Sequence, residues 1–228
     1  MEDLNVAIYG VVKIGGIEVW ITQTMVGAWI ISAVLILFAV VVRIKSSKFN
    51  EIPKGFQNVI ESIVEAFDNF AKGAVDERLM FLGNWYFMVF AFILLSNISG
   101  LFFFRPPTAD WSLTLTFALV TFALIQVMGV KFQKGTYIKG LFAPHPLFFP
   151  LNVIGELARP ISLSFRLFGN ILAGTILMSL LYSLAPVFLR FLAPIPLHGF
   201  FDLFAGALQA FVFCVLSLSF INFAASSE

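Results

Sequence analysis

An arginine stands inside a long apolar run in the last third of the chain, in the heptapeptide SFRLFGN at 164–170. An arginine side chain keeps its positive charge in proteins, and burying it at the centre of a membrane helix costs at least about 2.5 kcal/mol. At helical spacing, Arg166 shares a face with Ser162 and Ala173, and no acidic residue lies on that face within one turn. Because a buried cation requires a negative partner, we expect another molecule to supply it.

Polar side chains on the last two apolar runs indicate how these runs pair. Asp202 and Gln209 fall on one face of the final run when its residues are placed at helical spacing. An antiparallel arrangement sets Gln209 opposite Arg166 near the middle of the membrane. The same arrangement sets Asp202 opposite Thr175, nearer the outside. We therefore expect a polar seam between the two helices.

Several residues of this region have a purely structural alternative. Arg159 could extend its charged group to the membrane interface, whereas Arg166 lies too deep for that explanation. Asn170 and Gln209 could be hydrogen-bonding groups that hold two helices together. Close helix packing is expected at the small residues of the region, Gly169, Ala173 and Gly174.

Composition places the chain in a membrane and excludes several functions. The 228 residues are 60% hydrophobic and only 12% charged, with a mean hydropathy of +0.95, whereas soluble domains carry about 25% charged residues. A net charge of +1 gives no basis for binding nucleic acid. Because Cys214 is the single cysteine, an internal disulfide and a cysteine-based zinc cluster are excluded, and we expect neither a metal site nor a cofactor.

The hydrophobic pattern predicts an all-α polytopic membrane protein that forms a single membrane domain over 1–228. Apolar runs of about 20 residues are long enough to cross the hydrocarbon layer as helices. Five such transmembrane helices are expected, at 24–42, 82–104, 113–130, 147–184 and 197–224. The last two are longer than a perpendicular span requires, which predicts a long tilted hairpin.

Segments outside the spans set the expected orientation. Residues 55–72 combine an apolar and an acidic face, which predicts an amphipathic surface helix docked against protein. Most lysines and arginines lie in the loops after the first and third spans, which the positive-inside rule places in the cytoplasm. We therefore expect a multi-pass protein of the inner (plasma) membrane, with residues 1–20 as an external N-terminus and with a cytoplasmic C-terminus.

Two motifs, ARPISLSFRLFGNILAG and LQAFVF, are specific enough to indicate a family. The sequence resembles, over nearly its whole length, the a-subunit family of the membrane (Fo) sector of bacterial F-type ATP synthases. The resemblance implies a non-catalytic stator subunit whose terminal hairpin faces a rotating ring of c subunits. The other implied partners are the b-subunit peripheral stalk, the remaining F1Fo subunits and the lipid bilayer.

The resemblance also implies roles for individual residues. Each c subunit of the family carries a mid-membrane carboxylate, and Arg166 matches the essential arginine that lowers the pKa of this group and displaces its ion. The same charge blocks leakage between two offset half-channels, so that ion flow requires rotation. Asn170 and Gln209 match positions that orient this arginine or line the water paths. Glu156 and Arg159 match polar positions near the cytoplasmic exit.

At the outer channel the sequence both follows and departs from the family. Asn97 matches a polar position of this channel. Many members have a glutamate and a histidine at the depth where this chain has Thr175 and Asp202. His198, one turn before Asp202, could replace the missing histidine.

The departure leaves two coupling ions open. Thr175 and Asp202 supply oxygen atoms, which suit hydrated sodium. Asp202 and His198 can also exchange protons, and protons are the commoner coupling ion of the family. We therefore expect coupling to protons, with Na⁺ as the alternative.

Two other classes of function are alternatives to this interpretation. A self-contained transporter could bind an anion at Arg166. An intramembrane enzyme is disfavoured because Cys214 has no nearby histidine in the sequence. The chain has no phosphate-binding G-x-x-x-x-G-K-[ST] motif, so we expect ATP chemistry to belong to other subunits.

Overall fold

The computed structural model of the chain describes residues 8–14, 16–47, 49–102, 105–184 and 186–226. It is a helical membrane protein, and the predicted fold class is confirmed. Five helical segments are long and apolar enough to cross a membrane: Gln23–Ser46, Phe81–Phe102, Trp111–Gln133, Pro146–Leu184 and Pro194–Ala225. The predicted end of the second span at 104 lies outside the described residues, as do residues 1–7 of the expected external segment.

An N-terminal hairpin adds strands that the sequence reasoning did not predict. Strands β1 (Ile8–Ile14) and β2 (Ile17–Thr22) pair antiparallel, and Gly16 adopts a φ of 88° in the turn between them. This left-handed conformation favours glycine, which has no Cβ. Two runs rich in β-branched residues around a Gly–Gly pair are a hairpin signal.

The first span, α1 (Gln23–Ser46), begins directly after β2 and is mostly exposed along its length. The Thr22 hydroxyl caps it by accepting a hydrogen bond from the Met25 amide at 3.3 Å. Gly27 lets α1 approach the turn at Pro107, because a Cβ on Gly27 would lie 3.1 Å from Pro107 Cγ.

Helix α2 (Phe56–Ala74) is the predicted amphipathic helix, and only its second half packs against the bundle. The Phe67 ring meets the Phe87 ring edge-on with centroids 5.1 Å apart, and Phe70 lies 5.0 Å from Phe211. Near the start of α2, Val59 remains exposed. The expected docking against protein therefore holds for the half that contacts the bundle.

Four long helices form the packed core: α3 (Phe81–Ile98), α4 (Trp111–Gln133), α6 (Phe149–Leu184) and α9 (Gly206–Ala225). Helix α4 packs against both α6 and α9, and α3 packs against α9. Fully buried side chains at these contacts include Tyr86, Ile93, Ile125, Leu167, Phe213 and Leu218.

Polar pairs tie this apolar core together. The Tyr86 hydroxyl lies 3.1 Å from Thr121 Oγ1, which in turn lies 3.5 Å from Ser217 Oγ. Thr114 and Ser164 join α4 to α6 through hydroxyls 3.3 Å apart. Such interhelical hydrogen bonds fix the rotation of helices that lipid would otherwise solvate equally well on every side.

The terminal hairpin is longer than the membrane is thick. The 36 residues of α6 span about 54 Å at 1.5 Å per residue, against a hydrocarbon layer of about 30 Å. The short helices α5 (Gly135–Gly140), α7 (Val187–Leu192) and α8 (Pro194–His198) connect the long ones. A π-helical turn, Gly199–Ala205, joins α8 to α9.

Candidate functional site

Arg166 lies on the open face of α6, without a partner in the described part of the chain. Its neighbours Leu163 and Leu167 are buried against the bundle, whereas Arg166 itself is exposed. The exposed positions Ser162 and Ala173 continue the open face in both directions. Among the described residues, no hydrogen bond or ion pair involves the Arg166 guanidinium. The unpaired charge predicted from the sequence is thus exposed where a second protein could meet it.

Gln209 pairs with Asn170 rather than with Arg166. Asn170 Nδ2 donates to Gln209 Oε1 at 2.6 Å, and within the described ranges no hydrogen bond joins Gln209 to Arg166. Gln209 therefore lies within about one helical turn of the Arg166 level, in the interhelical contact that the structural alternative for Asn170 and Gln209 predicted. Gln209 is only 4% exposed because α9 packs against α3 and α4, which turns this side chain inward. Its Nε2 is buried and has no described hydrogen-bond partner.

A second polar group, the His198 cluster, consists of Tyr182, His198 and Asp202. His198 Nδ1 lies 2.6 Å from Asp202 Oδ2, and His198 Nε2 lies 3.4 Å from the Tyr182 hydroxyl. A neutral imidazole has one donor and one acceptor nitrogen. Donation from Nδ1 to Asp202 therefore leaves Nε2 to accept from Tyr182, which makes a continuous chain of hydrogen bonds.

Thr175 makes no hydrogen bond to Asp202 among the described residues, although the close approach of Phe201 to Gly174 indicates that the two lie at a similar depth. The Thr175 hydroxyl donates to the Ile171 carbonyl of its own helix at 2.9 Å. Phe201 occupies the space between the helices at this level, where a Cβ on Gly174 would lie 3.2 Å from Phe201 Cβ. Close packing was also predicted for Gly169, but no heavy atom lies within 4 Å of a Cβ built there.

Asn97 joins α3 by a hydrogen bond to the junction between the π-helical turn and α9. It is completely buried, donates from Nδ2 to the Gly206 carbonyl at 2.9 Å and accepts from Thr108 Oγ1 at 2.7 Å. A Cβ on Gly206 would lie 2.8 Å from Asn97 Cβ. Sequence reasoning found Asn97 but missed Thr108 and Gly206, which lie on other elements.

Asp202 lies close to α3 as well. A Cβ on Gly100 would lie 3.0 Å from the Asp202 carboxyl carbon. The His198 cluster and Asn97 therefore belong to one region where α3, the π-helical turn and the end of α6 meet. The π-helical geometry is frequent at functional positions of helices, because it re-aims side chains within a continuous helix.

A third polar group, the Glu156 cluster, lies at the other end of α6 and consists of Gln126, Tyr137, Glu156 and Arg159. Arg159 Nη1 lies 2.8 Å from Glu156 Oε1 and donates to Glu156 Oε2 at 3.0 Å. One guanidinium nitrogen thus contacts both carboxylate oxygens, and hydrogen bonds between charged groups are stronger than neutral ones. Arg159 therefore has an acidic partner one turn away on its own helix.

Three members of the Glu156 cluster line a cavity of about 630 Å³. Glu156, Arg159 and Tyr137 contribute its polar wall, and Phe223 contributes to the apolar part. Pro160 follows in α6 and has no N–H, so the Glu156 carbonyl lacks its usual helical donor. The cavity therefore offers polar groups to water or ions.

Two residues that sequence reasoning missed complete the Glu156 cluster. The Tyr137 hydroxyl donates to Gln126 Oε1 at 3.1 Å, and Gln126 Nε2 donates to Glu156 Oε2 at 3.4 Å. Burial raises the pKa of Tyr137 and the Glu156 carboxylate raises it further, so the phenol stays protonated and can donate. The turn at Lys134, with a φ of 52°, brings Tyr137 back against α4, which no local pattern predicts.

The two clusters lie on opposite sides of Arg166 along α6. At 1.5 Å per residue, Glu156 is about 15 Å from Arg166 and Tyr182 is about 24 Å away in the other direction. No group of three or more histidine, cysteine, aspartate or glutamate side chains suited to a metal ion occurs in the described part of the chain. The arrangement is one of two separated polar regions with a lone cation on an open face between them.

The five apolar spans and the exposed arginine on the long terminal hairpin define an integral membrane protein with a charge on its open face. Residues 25–222 match the family described as ATP synthase A chain. The chain therefore belongs to the ATP synthase A chain family, as its motifs predicted. Proteins of this family are components of ATP synthase rather than its catalytic subunits.

Relatives from several bacteria support the same assignment. The chain is 36% identical to ATP synthase subunit a, sodium ion specific, of Propionigenium modestum, over 89% of this chain and 73% of that protein. It is 37% identical to ATP synthase subunit a of Moorella thermoacetica, over 88% of this chain and 89% of that protein. It is 31% identical to ATP synthase subunit a 2 of Acaryochloris marina, over 91% and 86%.

Proposed function

We propose that this chain is the stator a subunit of a bacterial Fo sector and conducts ions past a rotating c ring. The observation that carries the proposal is the exposed, unpaired Arg166 on the open face of α6. In a membrane such a charge is costly unless a carboxylate meets it. A ring of c subunits supplies carboxylates one after another and thus explains why the site is incomplete in the isolated chain.

The two polar clusters form the two access paths in this proposal. The His198 cluster, with Asn97 beside it, leads from the outside to the open face. The cavity at the Glu156 cluster leads from the open face to the cytoplasm. Each path ends near α6 on its own side of Arg166, so an ion crosses only after a c subunit has carried it around the ring.

Arg166 performs two tasks in this scheme. Its fixed charge favours the ionised form of the passing carboxylate and so releases the bound ion. The same charge repels cations in the gap between the two paths and prevents a short circuit. Lysine is a poor replacement, because a desolvated ammonium group can lose its proton and cannot bind a carboxylate through two nitrogens.

The proposal includes a location and a set of partners. The protein lies in the bacterial plasma membrane with its N-terminus outside and its C-terminus in the cytoplasm, because the basic loops follow the first and third spans. It contacts the c ring through the hairpin and assembles with the b-subunit stalk and the other F1Fo subunits. It has no catalytic site of its own, and ATP is made or hydrolysed elsewhere in the complex.

The test is a coupled assay in inside-out vesicles that contain the complete complex. Arg166→Ala and Arg166→Lys should both abolish ATP-driven ion pumping and ion-driven ATP synthesis. Arg78→Ala is the matched control, because Arg78 is an exposed arginine outside the long membrane-spanning helices and should leave both activities intact. Pumping by the Arg166→Ala complex at the control rate would disprove the proposal. Solute uptake by the purified chain in liposomes would instead support the self-contained transporter.

Protons are the coupling ion that the outer path supports best. The Tyr182–His198–Asp202 chain consists of groups that can take up and release protons, with contacts of 3.4 and 2.6 Å. Sodium is the second candidate, because the relative in Propionigenium modestum is named sodium ion specific. Sodium needs hydrated space and oxygen ligands, which Asp202 and the Thr175 hydroxyl could provide.

The dependence of ATP hydrolysis on sodium concentration distinguishes proton coupling from sodium coupling. ATP hydrolysis by the intact complex is measured at fixed pH while sodium is varied from trace to millimolar concentrations. Proton coupling predicts a rate indifferent to sodium and acidification of vesicles that a protonophore collapses. Strong stimulation by sodium, with protection of the c-subunit carboxylate from carbodiimide by sodium, would assign sodium instead.

A further inference from the structure

Tyr137 and Gln126 surround the acidic group of the cavity without being charged themselves. The Tyr137 hydroxyl donates to Gln126 Oε1, which orients the amide so that Nε2 points at Glu156. Arg159 donates to the same carboxylate oxygen and contacts the second oxygen as well. The Glu156 carboxylate is therefore held between two donors that come from different helices.

A glycine makes this arrangement possible. A Cβ on Gly129 would lie 2.6 Å from Tyr137 Cε2 and 2.7 Å from Tyr137 Cδ2, well inside van der Waals contact. The tyrosine ring therefore lies directly on the backbone of α4 at Gly129. Any larger residue at this position would push the ring away from α4 and displace its hydroxyl from Gln126.

We propose that Tyr137 and Gln126 are positioning residues that hold the Glu156 carboxylate against Arg159 at the mouth of the cytoplasmic path. This inference rests on the proposed ion-conducting function and adds to it the groups that hold the Glu156–Arg159 ion pair in place. A free amide could rotate and present its oxygen to Glu156, which would repel the carboxylate from its place. The Tyr137 hydroxyl prevents this rotation by occupying that oxygen.

The first test compares Tyr137→Phe with the unchanged complex. Tyr137→Phe keeps the ring on Gly129 and removes only the hydroxyl. Passive ion flux through vesicles stripped of F1, normalised to assembled complex, should fall roughly three- to tenfold, the factor expected for one hydrogen bond. Gly129→Ala should lower the flux in the same way. Gly73→Ala is its control, because no heavy atom lies within 4 Å of a Cβ at that exposed position of α2.

A second readout separates positioning from a general structural effect. Glu156 is labelled with a water-soluble carbodiimide and an amine, and the labelled peptide is quantified by mass spectrometry against Glu65 of α2. Tyr137→Phe should raise Glu156 labelling at least roughly twofold, since one held hydrogen bond is lost, and leave Glu65 unchanged. The double variant Tyr137→Phe with Gln126→Leu should label no faster than Gln126→Leu alone, because both changes break one chain of contacts.

Three results would overturn the inference: unchanged flux and labelling in Tyr137→Phe, a flux change without a labelling change, or additive effects in the double variant. The Arg166→Ala complex is measured in the same vesicle assay. If Arg166→Ala retains full coupled pumping, the proposed function fails. If Arg166→Ala is inactive while Tyr137→Phe is unaffected, only the positioning role fails.

Discussion

The two ends of the terminal hairpin carry polar groups in different settings. At the His198 end, Asn97 lies closer to Gly206 than a Cβ would allow, and Asp202 leaves little room for a Cβ on Gly100. At the Glu156 end, the ion pair lines an open cavity of about 630 Å³, and a Cβ on Gly155 would meet no atom within 4 Å. The glycine beside the polar groups is therefore tightly packed at the His198 end, whereas Gly155 and the Glu156 ion pair border a cavity at the other end.

In the proposed function, the contrast corresponds to two ways of moving an ion toward Arg166. A hydrogen-bonded chain of titratable groups passes protons from group to group and needs no channel wide enough for a hydrated ion. An open cavity admits water and leaves selection to the groups on its wall. We therefore expect mutations at the His198 end to act by breaking the hydrogen-bonded chain that passes protons. Mutations at the Glu156 end should act by changing the charge on the cavity wall.

The largest effect among these tests is expected for Asp202→Asn. An amide keeps the size of the carboxylate but cannot carry a proton, so proton-driven ATP synthesis should fall by at least roughly tenfold, which corresponds to about 1.4 kcal/mol in the rate-limiting barrier. Synthesis is measured in energised vesicles. Asp110→Asn is the matched control, because Asp110 caps α4 and asparagine caps a helix equally well. An active Asp202→Asn complex would show that the His198 end does not relay protons.

The next largest effect is a difference in stability between alanine substitutions at two glycines. Gly206→Ala should destabilise the protein by about 1–3 kcal/mol, because the new methyl group would lie 2.8 Å from Asn97 Cβ in a packed region. Gly155→Ala should have little effect on stability. Both are measured as the midpoint of thermal unfolding of the complex in detergent. Equal midpoints would contradict the contrast between a packed and an open end.

The smallest effect is expected for Thr175→Val. The Thr175 hydroxyl bonds only to a carbonyl of its own helix in the part of the chain described here, so its removal leaves the His198 cluster intact. Proton-driven synthesis should stay within roughly twofold of the unchanged complex, since one local hydrogen bond contributes about 1 kcal/mol or less. A severe loss, especially one that added sodium relieves, would place Thr175 in the path and favour sodium.

Local patterns were sufficient to predict the helices and the lone charge. The spans follow from apolar runs, and the isolation of Arg166 follows from helical spacing along α6. The Glu156–Arg159 and His198–Asp202 contacts join residues within one turn of each other, so their geometry was accessible from sequence.

Contacts between distant elements were not accessible in the same way. Gln209 turns toward Asn170 because α9 packs against α3 and α4, and spacing on two helices cannot give that rotation. The π-helical turn Gly199–Ala205 changes the rotation again, since it departs from 100° per residue. Tyr137 reaches α4 only through the backbone turn at Lys134. The N-terminal hairpin, in contrast, has a local signal, namely two runs rich in β-branched residues around a Gly–Gly pair.

The central claim is that the open face of α6 at Arg166 meets a rotating ring of c subunits. Ser162 and Ala173, each replaced by cysteine, lie on this face. Ile161 is also exposed, but it lies about 140° from Arg166 around the helix axis, so Ile161→Cys is the control. The single native cysteine, Cys214, is buried and should not react. Each variant is combined with a cysteine on the outward face of the c-subunit helix that carries the carboxylate, and the complex is oxidised in the membrane.

We expect disulfide crosslinks to the c subunit from Ser162→Cys and Ala173→Cys and none from Ile161→Cys. These crosslinks should stop ATP-driven pumping, and a reducing agent should restore it. Crosslinks from Ile161→Cys alone, or pumping that continues through an intact crosslink at Ser162→Cys, would contradict the proposed contact between this face and the c ring.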